Sequence, residues 1–198
     1  MTAAEIADWA MQNTKGGLND DDPRVSYQRV EVERLAQAAL DSVPQGGTMV
    51  EIGVFCGRST SALLWVARER EATLWAADPF VWESEFALWN YSKVRHEFKD
   101  VSFLFYRMTS ERMRAIFPPD DPIDMLHIDG DHFDAATDCR LWLPNLKSGG
   151  LVVIHDVVDD VRSNIYQVYL DVQKYTSAWE TLWWARDEEG HQMCRRKP

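Results

Sequence analysis

One stretch, Thr48 to Ser61 (T-M-V-E-I-G-V-F-C-G-R-S-T-S), constrains the fold of this chain more than any other. It opens as a short apolar run from Met49 to Ile52, breaks at Gly53 and Gly57, and resumes as an amphipathic run from Ser59 to Arg70. The order is strand, glycine turn, helix. In such a unit the first helical turn presents its N–H groups above the carboxyl end of the strand, and the glycines let a ligand approach the backbone closely. The spacing is E-x-G-x-x-x-G. It differs from the G-x-G-x-x-G of dinucleotide folds, whose third glycine packs helix against strand beneath a pyrophosphate.

The chain beyond this turn keeps the same rhythm. Strand-like segments at 48–53, 73–77, 101–106, 123–128 and 150–155 alternate with helix-like segments at 58–70, 82–97, 109–116, 131–144 and 161–175. Such alternation implies parallel strands joined by right-handed crossovers, with helices on both faces. Trp179–Ala185 and Gln192–Arg195, separated by a polar turn, read instead as a hairpin joined to the sheet edge. The expected fold is therefore α/β: a doubly wound, Rossmann-like, mostly parallel seven-stranded sheet with a C-terminal antiparallel hairpin.

Ahead of the glycine turn, residues 3–12 place Ile6, Trp9 and Ala10 on one side of a short helix, and Val32, Leu35, Ala36, Ala39, Leu40 and Val43 recur on one face of another. Between them, the polar stretch Asn13 to Pro23 reads as a flexible arm or a lid. With 198 residues the chain suits one domain, in which 1–45 form a helical cap or lid and 46–198 the α/β core.

Charge and cysteine content exclude several classes. The net charge is −11, and the one basic cluster is Arg195, Arg196 and Lys197, so no broad surface suits nucleic acid. No apolar run approaches the roughly 20 residues that span a bilayer, and the N-terminus lacks the features of a signal peptide. A cytoplasmic protein with no nucleic-acid or membrane partner is expected. Cys56, Cys139 and Cys194 are scattered and odd in number, which points to reduced thiols rather than a disulfide framework or zinc knot.

Ligands of doubly wound folds bind beyond the carboxyl ends of the strands. Those ends read A-A-D-P-F at Asp78, I-D-M-L-H-I-D-G-D-H through Asp129, Asp131 and His132, and V-V-I-H-D-V through His155 and Asp156. Taken in order with V-E-I-G-x-x-x-G-R-S-T and L-W-L-P-x-L-K-x-G-G-L, this set resembles the class I S-adenosylmethionine-dependent methyltransferases catalogued as methyltransferase domain family 24. The resemblance covers roughly Met49 to Val157. The closing antiparallel hairpin agrees with the same fold.

The resemblance implies that S-adenosylmethionine is the cofactor. Glu51, Gly53, Val54, Phe55, Gly57 and Ser59 would surround its methionine and ribose portion, with Thr60 nearby and Asp129 alongside. Asp78 would hold the ribose hydroxyls, unless it merely caps the next helix. The G-D-S run common in the family after the third strand is replaced here by Met108-Thr109-Ser110, so Thr109 or Ser110 would have to take over the adenine contact without a carboxylate.

Related O-methyltransferases hold a divalent cation with carboxylates at the ends of strands four and five. Carried over, Asp129, His155 and Asp156 would bind Mg2+ or Mn2+. The bland alternative is that Asp129 or Asp131 caps a helix and His155 is a buried, hydrogen-bonded side chain. The expected activity is methyl transfer to a small-molecule hydroxyl, with Asp129, His132 and His155 as the catalytic candidates and His132 or His155 as the base if no metal takes part. Trp82, Phe86 and Trp89 read as core, as a contact of a possible homodimer, or as a wall of the acceptor site; Pro23 to Tyr27 are placed to reach over it. The rival readings are a non-catalytic nucleoside-binding partner protein and, less favoured by the glycine spacing, a nicotinamide-dependent oxidoreductase.

Overall fold

The computed structural model describes residues 1–14, 28–80, 85–131, 134–163, 166–185 and 191–197, with the side chains of 85–90, 183–185 and 191 set aside. Among the described residues the strands are β1 (Thr48–Ile52), β2 (Thr73–Ala77), β3 (Ser102–Tyr106), β4 (Ile123–Ile128), β5 (Leu146–His155), β6 (Glu180–Ala185) and β7 (His191–Arg195). They form one seven-stranded sheet in the order β3-β2-β1-β4-β5-β7-β6. β1 to β5 run parallel, while β7 lies antiparallel to both β5 and β6. The expected hairpin is present, but its second strand slots between β5 and its first. The reversal of strand order between β1 and β4 opens a crevice at their carboxyl ends, where ligands of such folds bind.

Among the described residues seven helices surround the sheet: α1 (Ala3–Asn13), α2 (Arg29–Ser42), α3 (Arg58–Arg70), α4 (Glu85–Glu97), α5 (Ser110–Ile116), α6 (Ala135–Trp142) and α7 (Tyr166–Thr176). The two-residue period of the strands divides the core. Met49, Leu74, Met125 and Val153 face α1 to α4, and Val50, Ile52, Leu126 and Ile154 face α5 to α7. Burial on both faces explains why β1 and β4 read as almost continuous apolar runs.

Local chemistry sets the element ends. Thr2 and Glu5 form a capping box on α1, the Glu5 amide donating to Thr2 Oγ1 and the Thr2 amide to Glu5 Oε2. Trp9 of α1 meets Trp65 and Phe98 edge-on, with ring centroids 5.8 and 5.4 Å away, and so docks the N-terminal helix on α3 and α4. At the amino end of the sheet the buried Asp124 accepts from the Thr48 amide at 2.8 Å and from Lys147 at 2.5 Å. This carboxylate is structural and lies at the far end from the crevice.

Several boundaries differ from those read in the sequence. α6 starts at Ala135 rather than near 131 because Asp134 caps it, accepting from the Thr137 amide. α7 starts at Tyr166, since 161–163 form a turn. β5 starts at Leu146, which pairs with Ile123 ahead of a register shift. The arm beyond Thr14, Pro23 to Tyr27, Trp82 and His132 lie outside the described residues, as do the side chains of Phe86 and Trp89. No helix among the described residues is long and apolar enough to cross a membrane.

Candidate active site

Gly53 leaves β1 at φ +89°, in the left-handed region that glycine enters without strain. A Cβ there would fall 1.8 Å from the carbonyl oxygen of Asp129, so no side chain fits while β1 and β4 keep their contact. The Gly53 amide donates to Ala77 at 2.9 Å and the Asp129 amide to Ile52 at 2.7 Å, which ties three strand ends together. The turn closes through the Gly57 amide, which donates to Val54 at 2.7 Å. Gly57, at φ +79°, then caps α3 without any side-chain bond.

Asp78, at the end of β2, points at this turn. Its Oδ2 accepts from the amides of Val54 at 2.9 Å and Phe55 at 2.8 Å, and its Oδ1 from the Phe80 amide at 2.6 Å. Phe55 and Phe80 both sit at positive φ, 44° and 49°, a conformation that costs a non-glycine residue about 1 kcal/mol or more. One carboxylate therefore holds both strained residues in place. Asp78 is where a ribose-binding acid is expected, and its Oδ1 keeps acceptor capacity beyond the Phe80 amide.

Glu51, expected to line the ligand, lies at the end of β1 just ahead of the glycine turn. It is completely buried on the α3 side of the sheet, where its Oε1 accepts from the Ser59 hydroxyl at 2.7 Å. Across the sheet in register lies His127, also completely buried, with Nδ1 3.4 Å from the same Oε1. Glu51 Oε2 has no hydrogen-bond partner. A buried carboxylate oxygen left without a donor is costly, and its position directly behind the glycine turn suits a cofactor that carries an ammonium.

The ends of β4 and β5 bring Asp129, His155 and Asp156 together as the sequence implied. One ligand atom from each lies within 4.8 Å of the others. His155 Nδ1 stands 3.3 Å from Asp129 and 3.0 Å from Asp156, and Asp156 adopts φ 59°. Burial pushes the imidazole toward neutrality, but the two carboxylates outweigh it and hold the pKa of His155 well above its ordinary value. Neither Asp129 nor Asp131 caps α6, since Asp134 does so. The donor set of two carboxylates and an imidazole suits Mn2+ or a similar cation, and Mg2+ less well.

Beyond β3, Thr109 is exposed and caps α5 with no side-chain bond. Ser110 is engaged inside the protein: its Oγ accepts from Trp142 Nε1 at 2.8 Å and its hydroxyl bonds to Asp138. Of the two residues proposed for the base, Thr109 is the one with a hydroxyl still available. Asp138 was not apparent from the sequence. Burial raises its pKa to about 6, the Ser110 bond opposes that rise, and Glu111, Asp134 and Asp131 add to it. Its Oδ2 would be 2.6 Å from a Cβ on Gly130, so Gly130 is glycine partly to admit this carboxyl. The one available signal was the spacing of Asp138 and Trp142, one helical turn apart.

Comparison with known proteins agrees with this geometry. The profile of a methyltransferase domain family matches residues 50–157. No curated protein matches the sequence. Among solved structures, the chain is similar to a Corynebacterium glutamicum protein with a TM-score of 0.71 at 16% identity, over 98% of this chain and 90% of that one. An O-methyltransferase from Bacillus cereus in complex with S-adenosylhomocysteine gives 0.69 at 15% identity, over 98% and 91%. The O-methyltransferase TomG from Streptomyces achromogenes, involved in tomaymycin synthesis and in complex with S-adenosylmethionine, gives 0.65 at 18% identity, over 99% and 90%. At these identities the likeness is one of fold, and the family assignment rests on the profile match across more than half of the chain, the stretch that runs from β1 through the end of β5: the chain belongs to methyltransferase domain family 24, the S-adenosylmethionine-dependent class I methyltransferases.

Proposed function

We propose that this methyltransferase acts on a hydroxyl group of a small-molecule acceptor, bound at the ends of β4 and β5 with help from a divalent cation. The observation that carries the reading is the Asp129–His155–Asp156 cluster, placed beside the glycine turn by the backbone contact of Gly53 with Asp129. Two structural relatives described as O-methyltransferases support the choice of oxygen as the acceptor.

S-adenosylmethionine supplies an electrophilic methyl group on a sulfonium, so the protein's work is to align the acceptor and to manage its proton. The glycine turn and the first turn of α3 hold the amino-acid end of the cofactor, and Asp78 faces the ribose. Thr109 is the group at hand for the base. Asp129 belongs to both halves, since its backbone packs on Gly53 and its carboxylate joins the acceptor cluster.

The flanking carboxylates raise the pKa of His155 above its ordinary value, which weakens it as a general base. That favours a cation-assisted route, in which Asp129, Asp156 and the deprotonated His155 would hold the cation, whose Lewis acidity would make the acceptor hydroxyl easier to deprotonate.

The test is radiolabel transfer from S-adenosylmethionine to a panel of catechols, phenols, sugars and amines, with Mn2+, with Mg2+ and with chelator. Metal-dependent transfer to hydroxyls is expected. Transfer confined to amines, or full activity after chelation, overturns the oxygen or the metal part respectively. Binding without transfer to any acceptor would favour the non-catalytic partner reading.

A further inference from the structure

α1 runs along α3 in the opposite direction and is tied to it from end to end. The amino group of Met1 stands 3.4 Å from Glu69 near the end of α3, Trp9 meets Trp65 at its middle, and the Thr14 carbonyl accepts from Arg58 Nη2 at 3.2 Å at its start. The first pair is partly open to solvent, but the last is dry: Arg58 is 4% exposed and Thr14 2%. Thr14 is itself fixed, because its Oγ1 donates to the Ala10 carbonyl at 2.8 Å.

Arg58 is the first residue of α3, directly after Gly57. A cation there is unfavourable for its own helix, whose amino end already carries positive partial charge. It is favourable at the carboxyl end of another helix, and α1 has no basic residue in its own last turn. A buried guanidinium in this position is therefore explained by what it joins, the end of α1 and the end of the glycine turn. Gly53, Phe55 and Gly57 all lie at positive φ, so the turn has little intrinsic preference for its shape and has to be held from outside. Its first end is held by β2, where the Gly53 amide donates to Ala77; its second is held by α1 through Arg58.

We propose that Arg58 is a positioning residue for the cofactor: by anchoring the first turn of α3 to the carboxyl end of α1, it makes docking of the N-terminal helix part of cofactor binding. This rests on S-adenosylmethionine being the cofactor. Such coupling is reciprocal, so whatever the docking of α1 adds to cofactor affinity, the bound cofactor adds to the docking of α1.

Calorimetric titration of S-adenosylhomocysteine into the full chain, with amide hydrogen exchange followed along α1, tests both directions. Arg58→Met keeps the length of the side chain and removes its donors, and should weaken S-adenosylhomocysteine about fivefold or more. Arg58→Lys, whose ammonium can still donate toward Thr14, should recover part of the loss. In the unmodified protein S-adenosylhomocysteine should slow exchange of the Asn13 and Thr14 amides by about the same factor, and in Arg58→Met it should not. Amides of Leu40 to Ser42, beside Arg70 at the other end of α3, should keep their rates. An arginine that only packs α1 would lower the melting temperature when replaced, without linking exchange in α1 to the ligand. An unchanged affinity in Arg58→Met, or exchange at Asn13 and Thr14 that ignores the ligand, overturns the proposal. If Arg58→Met does not fold, the exchange measurement on the unmodified protein decides alone. Failure of the unmodified protein to bind S-adenosylhomocysteine would overturn the cofactor assignment, and this proposal with it.

Discussion

Gly53 and Asp129 meet backbone to backbone: a Cβ on the first would lie 1.8 Å from the carbonyl oxygen of the second. The glycine turn and the Asp129–His155–Asp156 cluster therefore share one contact, and neither strand end can move without the other. Gly53→Ala should destabilise the protein by about 3 kcal/mol or more, since it combines an unfavourable φ with a clash against backbone that cannot yield. Gly57→Ala is the control. Its φ is just as positive, but nothing lies within 4 Å of its Cβ, so strain alone should cost about 1 kcal/mol. Urea denaturation of the two variants measures the difference, and equal losses would show that the Gly53–Asp129 contact yields easily.

Asp78 serves the turn as well as any ligand. Replacing it with alanine removes the acceptor of three backbone amides, so stability should fall by about 2 kcal/mol even without cofactor. The affinity for S-adenosylhomocysteine should fall as well, by about 1.5–3 kcal/mol if two ribose hydroxyls lose their acceptor. Thermal melts without ligand and calorimetry with it separate the two losses. A variant that melts normally would contradict the three amide bonds to Asp78.

Asp138 should make the protein less stable as pH rises. Its folded-state pKa of about 6 lies above the ordinary 3.8, chiefly through burial, so the native state keeps a proton that the unfolded chain has already released. Its contribution is complete below pH 4 and is lost as pH climbs through 6, a change of about 3 kcal/mol. Asp138→Asn should remove that decline. Denaturation midpoints of both proteins at pH 4.5 and 7 test this, and parallel pH profiles would show that Asp138 titrates normally.

Metal binding should tighten with pH and release a proton. His155 is held protonated well above its ordinary pKa by Asp129 and Asp156, and the same nitrogen-bearing ring has to give up that proton to ligate a cation. Mn2+ titrated in buffers of different ionisation enthalpy should show net proton release, with affinity rising from pH 6 to pH 9. His155→Gln should flatten the dependence. A pH-independent affinity would place the cation elsewhere.

The sequence made some of these features legible and others not. Gly53, Gly57 and the strand ends stood out because turn chemistry is local, and a glycine pair between an apolar run and an amphipathic run has few readings. Asp129, His155 and Asp156 were recoverable because parallel strands deliver their carboxyl ends to one edge. Glu51 was read as a ligand contact from its place in the glycine motif, and its burial on the same face as Met49, beneath α3, follows from the two-residue period of β1. His127 could not be found without the β1–β4 pairing, which joins residues far apart in the chain. Ser110 looked available for the same reason, because its partners Trp142 and Asp138 come from another helix.

The position of β7 bears on how the chain is made. β5 is paired on one side by β4, but its other edge is closed only by residues 191–195, which also carry β6 into the sheet. A nascent chain emerging from the ribosome thus shows an open, apolar strand, Leu151 to Ile154, until residues 191–195 have been synthesised. During that interval the growing polypeptide is at its most prone to join a neighbour, and a chaperone that shields one strand edge would be of most use to it then.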